Sequence, residues 1–202
     1  MINKDLGSAV HIVQMIIAKV LKSGGTAVDA TAGNGNDTLF LAQTVGSEGR
    51  VYAFDIQEKA LKTTRKLLER HNAARQVTLL NTGHEGLDKS VPVPVDAVVF
   101  NLGYLPGGDH ALVTRPDTTI GALKSAIGLL RQGGRIGMVI YTGHPGGAEE
   151  LYAVEQFTSG LEGSEFNVIK ISYLNRSAQA PVIIVIEKAG APHESQAATQ
   201  NP

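Results

Sequence analysis

The chain has 202 residues, 43% hydrophobic and 18% charged, which is enough apolar material for a packed core and too much for a disordered chain. Its 18 Lys and Arg against 19 Asp and Glu give a formal net charge of −1, so a nucleic-acid partner would be held through a local basic patch, not by a general positive excess. There are no cysteines, which excludes disulfides and Cys-ligated zinc or iron–sulfur centres. No apolar run reaches the roughly 18 residues of a membrane span, and no signal-peptide pattern opens the chain, so a cytoplasmic protein that needs no membrane and no metal is expected.

Val10, Val13, Ile16, Ile17 and Val20 recur at helical spacing over 8–21, and Ser23-Gly24-Gly25 stops that helix. If its apolar face is exposed, it would support a homodimer. A short buried strand is predicted over 26–32, then a Gly/Asn-rich turn and a helix over 36–45 with Asn36 or Asp37 at its start. A second strand covers 50–55. The helix over 58–71 carries Lys62, Arg65, Lys66 and Arg70, whose shared spacing could grip phosphate but reads first as a solvated face. Apolar strands follow at 77–80, 95–100 and 135–141, with a helix over 116–131 between the last two. A helix over 148–160 precedes strands at 166–174 and 182–187. The alternation predicts an α/β fold with a doubly wound, mostly parallel sheet. The last two strands, with no helical pattern between them, are expected as an antiparallel hairpin at one edge. One domain is expected over 1–188, with a disordered tail over 189–202.

The most informative stretch is Asp29-Ala30-Thr31-Ala32-Gly33-Asn34-Gly35-Asn36-Asp37, where the first strand turns into a helix. In an α/β sheet that turn borders the ligand crevice. Asp55, 20 positions after Gly35, ends the second strand, where an acid can accept hydrogen bonds from ribose hydroxyls. A dinucleotide fingerprint wants a third glycine where Thr38 stands, and pyrophosphate disfavours a carboxylate such as Asp29 beside it. A ligand with a sulfonium and an ammonium at one end and a ribose and adenine at the other suits the pattern better, which points to S-adenosyl-L-methionine. Asn34, Asn36 and Asp37 either bind its methionine end or cap the helix. Gln57 adjoins Asp55, and the 82–86 turn with His84 and Glu85 is a place for the adenine edge.

The fourth strand runs into Asn101-Leu102-Gly103-Tyr104-Leu105-Pro106-Gly107-Gly108-Asp109. At that strand end Asn101 would hold an attacking amine and aim its lone pair at the transferable methyl, and Tyr104 would stack on a planar base. Positioning of this kind supplies much of the rate of an in-line displacement. The motif resembles the Asn-Pro-Pro-Tyr signature of amino-directed methyltransferases, with Leu102 and Gly103 in place of the prolines. After the fifth strand, Tyr141-Thr142-Gly143-His144-Pro145-Gly146-Gly147 places a histidine that could orient or deprotonate the amine. Asn175 and Arg176 lie between the last two strands, where a substrate loop could sit.

Together the 29–38, 101–109 and 141–147 segments resemble the MnmM (YtqB-like) methyltransferases, a bacterial family first labelled rRNA methylases. The likeness extends over 2–188 and includes Pro116-Asp117-Thr118-Thr119. It implies a Rossmann-like class I methyltransferase fold with a seven-stranded sheet, and S-adenosyl-L-methionine as donor. The implied acceptor is 5-aminomethyl-2-thiouridine at the tRNA wobble position, presented in the anticodon stem-loop, and the product is its 5-methylaminomethyl form. On this resemblance Asn101, Tyr104 and His144 are the catalytic candidates. Asp29, Thr31, Gly33, Asn34, Gly35, Asn36, Asp37, Asp55, Gln57, His84 and Glu85 form the cofactor set. Leu105, Pro106, Asp109, Tyr141, Gly143, Asn175 and Arg176 form the substrate set. Two alternatives stay open: a methyltransferase of rRNA or a small amine, and an NAD(P)-binding oxidoreductase.

Overall fold

A computed structural model of the protein describes residues 5–103 and 113–190. Its strands are β1 (Thr26–Asp29), β2 (Arg50–Phe54), β3 (Val77–Leu80), β4 (Val95–Leu102), β5 (Leu130–Ile140), β6 (Phe166–Ile171) and β7 (Val182–Lys188). They form one sheet in the order β3-β2-β1-β4-β5-β7-β6. β1 to β5 pair in parallel, and β7 runs antiparallel to both β5 and β6. The edge hairpin read from the sequence is therefore present, and the strand order is that of the seven-stranded, mostly parallel sheet the resemblance implies.

The helices are α1 (Ala9–Ile17), α2 (Asn36–Val45), α3 (Glu58–Arg70), α4 (Pro116–Leu129) and α5 (Gly147–Ser159). The first three cover one face of the sheet and the last two the other, which also receives a 3-10 segment, His84–Lys89. Covering both faces explains why β1 and most of β4 read as continuous apolar runs. α1 begins where the Ser8 hydroxyl accepts from the His11 amide. Its apolar residues Ile12, Val13 and Ile17 are buried in the same cluster as Val139, Ile183 and Val185. A Cβ on Gly137 of β5 would stand 2.5 Å from Val13 Cγ1, so only glycine admits the helix this close. Val13 and Ile17 of the apolar face proposed for a homodimer are thus spent within the fold, while Val10, Ile16 and Val20 are half-buried.

Several element boundaries differ from the sequence reading, the first helix ending at Ile17 well before Ser23-Gly24-Gly25, and three of the differences have a clear local reason. β1 stops at Asp29 because the Asp29 carboxylate accepts from the Thr31 amide at 3.1 Å, an Asx turn that takes the chain out of the ladder. β5 starts at Leu130, not 135. Leu130 already pairs with Val95, and the ladder resumes at Arg135 opposite Ala97 after Gly133 turns at φ 74°. β6 ends at Ile171, leaving a polar stretch that includes Asn175 and Arg176 before β7. Of the expected tail, Ala189 still donates to Glu165 O at 2.7 Å, and residues 191–202 lie outside the described part of the chain.

Candidate active site

A crevice of about 830 Å³ opens at the carboxyl ends of β1, β2, β4 and β5, where the strand order reverses between β1 and β4. Its floor is the turn 30–36. Ala30 N donates to Val99 O and Ala32 N to Phe54 O, so the turn grows from the ladders on both sides of β1. Asp55 Oδ2 accepts from the Gly33 amide and Asp55 Oδ1 from the Gln57 amide, each at 2.8 Å. Thr31 Oγ1 accepts from the Asn101 amide at 2.7 Å, and Thr64 Oγ1 donates to Gly33 O at 3.0 Å. Gly35 sits at φ 86°, and a Cβ there would come within 2.9 Å of three Thr64 atoms, so glycine is required at this position twice over.

Three carboxylates make this floor acidic. Asp29 is fully buried beneath the turn and does not line the crevice; its Oδ2 accepts from Thr38 Oγ1 at 2.6 Å and its Oδ1 from the Thr31 amide. Burial, then the neighbouring Asp37, push its pKa up to about 7 despite those hydrogen bonds. Asp37, in the first turn of α2, is also held above the usual carboxylate range, burial outweighing hydrogen bonds from Gln14 and Asn101. Gln14 Nε2 reaches Asp37 Oδ1 at 2.7 Å. Asp29 is therefore a support for the ligand turn, not the direct contact expected from the sequence. Gly35 is likewise absent from the lining, its part being to shape the turn. Thr31, Gly33, Asn34, Asn36, Asp37, Asp55, Gln57, His84 and Glu85 do line the crevice. His84 Nδ1 meets Ala30 O at 2.9 Å, so that nitrogen carries the proton.

At the reactive end, Asn101 sits in β4 with its Nδ2 donating to Asp37 Oδ2. Its Oδ1 is buried and has no hydrogen-bond partner among the described residues. The carboxylate decides the orientation of this amide: Asp37 takes the NH₂ side, so the carbonyl oxygen is the end offered to a ligand. Tyr141, Gly143 and His144 line the same end. The Tyr141 phenol is held above its usual pKa by partial burial, then by Asp37 and Tyr173. His144 Nδ1 meets Pro145 O at 3.0 Å, which makes Nε2 the ring's acceptor nitrogen. That Nε2 borders Gly103, at 3.5 Å from where a Cβ would stand.

Tyr104, Leu105, Pro106 and Asp109 lie outside the described residues. Asn175 and Arg176 do not line the crevice: Arg176 donates to Gly7 O at 3.1 Å and stacks 3.7 Å over the Tyr173 ring, joining the β6–β7 connection to the N-terminal segment. The sequence reading missed several wall residues, among them Val10, Ile56, Thr114, Arg115, Thr118 and Gln179. Arg115 is the one Lys or Arg among the described lining residues. Thr118 falls in the Pro116-Asp117-Thr118-Thr119 segment of the family resemblance, a signal that could have found it. Val10 belongs to a helix whose apolar spacing reads only as core.

Residues 51–187 match the family described as "Putative rRNA methylase". The chain belongs to this family. Among curated proteins, the "tRNA (mnm(5)s(2)U34)-methyltransferase, chloroplastic" of Arabidopsis thaliana is 43% identical over 190 residues, spanning 89% of this chain and 69% of that protein. Among solved structures, a "putative rRNA-methylase" of Clostridium thermocellum superposes with a TM-score of 0.87 at 46% identity, over 93% of this chain and 99% of the other. A "putative methyltransferase" of Streptococcus mutans, solved with SAH, gives 0.82 at 38% identity over 93% and 99% of the two chains.

Proposed function

We propose that the protein transfers a methyl group from S-adenosyl-L-methionine to the exocyclic amine of 5-aminomethyl-2-thiouridine at the tRNA wobble position. The observation that carries this reading is Asn101, whose buried carbonyl oxygen has no partner among the described residues while Asp37 fixes its amide from behind. A neutral primary amine satisfies that acceptor with one N–H and keeps its lone pair for attack. The name of the Arabidopsis relative, tRNA (mnm(5)s(2)U34)-methyltransferase, gives the methylated product of such an amine.

The residues present fit the donor. Asp37, Asp55 and Glu85 line the crevice above the buried Asp29, and Arg115 is the only opposing Lys or Arg among the described lining residues, so the floor favours a cationic ligand over a pyrophosphate. The carboxylate of Asp37 stands at the start of α2, where a phosphate would otherwise seek the helix N-terminus. Asp55, held by two backbone amides, keeps lone pairs for ribose hydroxyls. His84 and Glu85 bound the far end, where an adenine edge fits. When bound, S-adenosylmethionine supplies a methyl on a sulfonium, whose transfer to nitrogen leaves a thioether and releases one proton.

The protein's own part is orientation and proton handling. Asn101 Oδ1 accepts one amine N–H and so points the nitrogen lone pair across the crevice. An alkylammonium has no lone pair, so the amine must arrive or become neutral. We assign the taking of the proton to His144, whose Nε2 borders Gly103. An anticodon loop presents unpaired bases, so the target nucleotide reaches the crevice without extraction from a duplex.

The test is direct. The protein is incubated with S-adenosylmethionine and tRNA carrying the unmethylated nucleoside, then the RNA is digested and the nucleosides weighed. A gain of one methyl on that nucleoside is the expected outcome. No conversion, with SAH still bound, would keep the donor and move the acceptor to rRNA or a small amine; loss of both would refute the reading.

A further inference from the structure

Among the described residues two acids are fully buried, Asp29 and Glu150, and only the first belongs to the cofactor floor. Glu150 stands in the first turn of α5, directly after the 141–147 loop, and does not line the crevice. Each of its carboxylate oxygens is taken by a threonine hydroxyl: Oε2 by Thr114 at 2.8 Å and Oε1 by Thr119 at 2.6 Å. A buried carboxylate is costly compared with a well-packed apolar side chain, so its presence calls for what the apolar residue could not do.

What it does is visible in its partners. Thr114 lines the crevice, and its amide donates to Gly103 O at 3.1 Å, two residues beyond Asn101. Thr119 is buried within α4. Glu150's own amide donates to Gly146 O, and Gly147 N to His144 O, so the carboxylate is rigidly joined to the loop bearing Tyr141 and His144. The end of β4 and the loop after β5 are the two walls of the acceptor half of the crevice. We propose that Glu150 is a positioning residue that clamps these walls together through Thr114, fixing the surface on which the target nucleotide is seated. The inference rests on methyl transfer at this crevice and says which buried group sets its acceptor side.

The test uses the full chain and the variants E150Q, E150A and T119V. Three quantities are read: kinetics on the unmethylated tRNA, SAH binding, and hydrogen exchange of residues 113–115 and 141–147. In E150Q the amide oxygen accepts from one threonine and the NH₂ donates to the other hydroxyl, so all three stay near wild type. In E150A the wall loses its tie. KM for tRNA rises about tenfold, corresponding to a competent population near one tenth, while SAH affinity stays within about twofold. Exchange at the Thr114 amide accelerates. T119V lowers the melting temperature but leaves KM unchanged, because the Thr114 bond persists. Should E150A not fold, T114V severs that bond alone, and its exchange pattern decides. Wild-type KM and exchange in E150A, equal losses of SAH and tRNA affinity, or an E150Q as impaired as E150A would each overturn the clamp. A wild-type protein that methylates no tRNA would sink the acceptor assignment instead, and the exchange data would still decide whether Glu150 holds the two walls.

Discussion

Asp29→Asn tests the electrostatics of the floor. In the folded protein Asp29 titrates at about 7 against 3.8 for an ordinary aspartate, because burial and Asp37 disfavour its charge. A carboxyl whose folded pKa is raised binds its proton more tightly in the native state. Stability from this group is therefore complete below about pH 3.8 and is lost as pH rises through about 7. At 1.36 kcal/mol per unit, the penalty is about 1.6 kcal/mol at pH 5 and about 4 kcal/mol at pH 8. Asparagine mimics the protonated acid. Its oxygen accepts from the Thr31 amide and its NH₂ donates to Thr38 Oγ1, so the turn survives. Urea unfolding of wild type and D29N at pH 5 and pH 8 reads the effect of Asp29 together with its charge coupling to Asp37, since titrating groups not coupled to Asp29 cancel in the difference. The advantage of D29N should grow by about 2–3 kcal/mol between the two pH values. A pH-independent difference, or one that shrinks as pH rises, would refute the argument. The same charges give the ligand its sign preference: a sulfonium favours the ionised floor, so in wild type the affinity for S-adenosylmethionine relative to SAH should rise from pH 5.5 to about 7.5.

Asn101→Ala removes the unpartnered acceptor and should lower kcat/KM for tRNA by about 10- to 100-fold, the equivalent of one well-placed hydrogen bond, with SAH binding in calorimetry little changed. Gly35→Ala combines left-handed strain of about 1–2 kcal/mol with an overpacking cost of about 1–3 kcal/mol against Thr64. It should therefore abolish the thermal shift given by SAH, and a wild-type shift would contradict the geometry. With Arg115 the one Lys or Arg among the described lining residues, binding of tRNA should depend weakly on salt. Neutralising one or two phosphates predicts less than about a tenfold rise in KM between 50 and 200 mM salt, checked by steady-state kinetics.

Features that depend on neighbours in sequence were legible, and features that depend on depth were not. The 29–37 turn, the acid at the end of β2 and Asn101 at the end of β4 follow from strand–turn–helix order and spacing, and the structure brings all of them to one crevice. That Asp29 supports the turn from beneath, while Asp37 lines the site, depends on which way each carboxylate faces. Eight positions in one turn do not reveal that. The 3-10 segment His84–Lys89 has neither helical period nor length, and Gly86 interrupts it at φ −120°, so nothing announced it. Arg176 reads as a substrate cation because it sits in a polar connection between strands, yet Gly7, 169 residues away, is its partner. Arg115, Gln179 and Glu150 acquire their meaning only from where the fold sets them, the first two in the crevice wall and Glu150 against Thr114 and Thr119.

The acids around the turn also show why the reactive corner is set before a substrate arrives. Asp55 accepts the Gly33 and Gln57 amides, one on each oxygen, and Asp29 accepts the Thr31 amide and the Thr38 hydroxyl in the same way. Both therefore fix the backbone of the turn. Thr31, held in that turn, receives the Asn101 amide, and Asp37, at the start of the next helix, receives the Asn101 side chain. Gln14 of α1 holds Asp37 from the other side. The orientation of one amide is thus determined by β1, β2, α2 and α1 together. A hydrogen-bond acceptor fixed this way needs no reorganisation when an amine binds, which is the condition under which positioning lowers a barrier. Removing Gln14 or Asp37 would leave the acceptor chemically present and its direction undetermined.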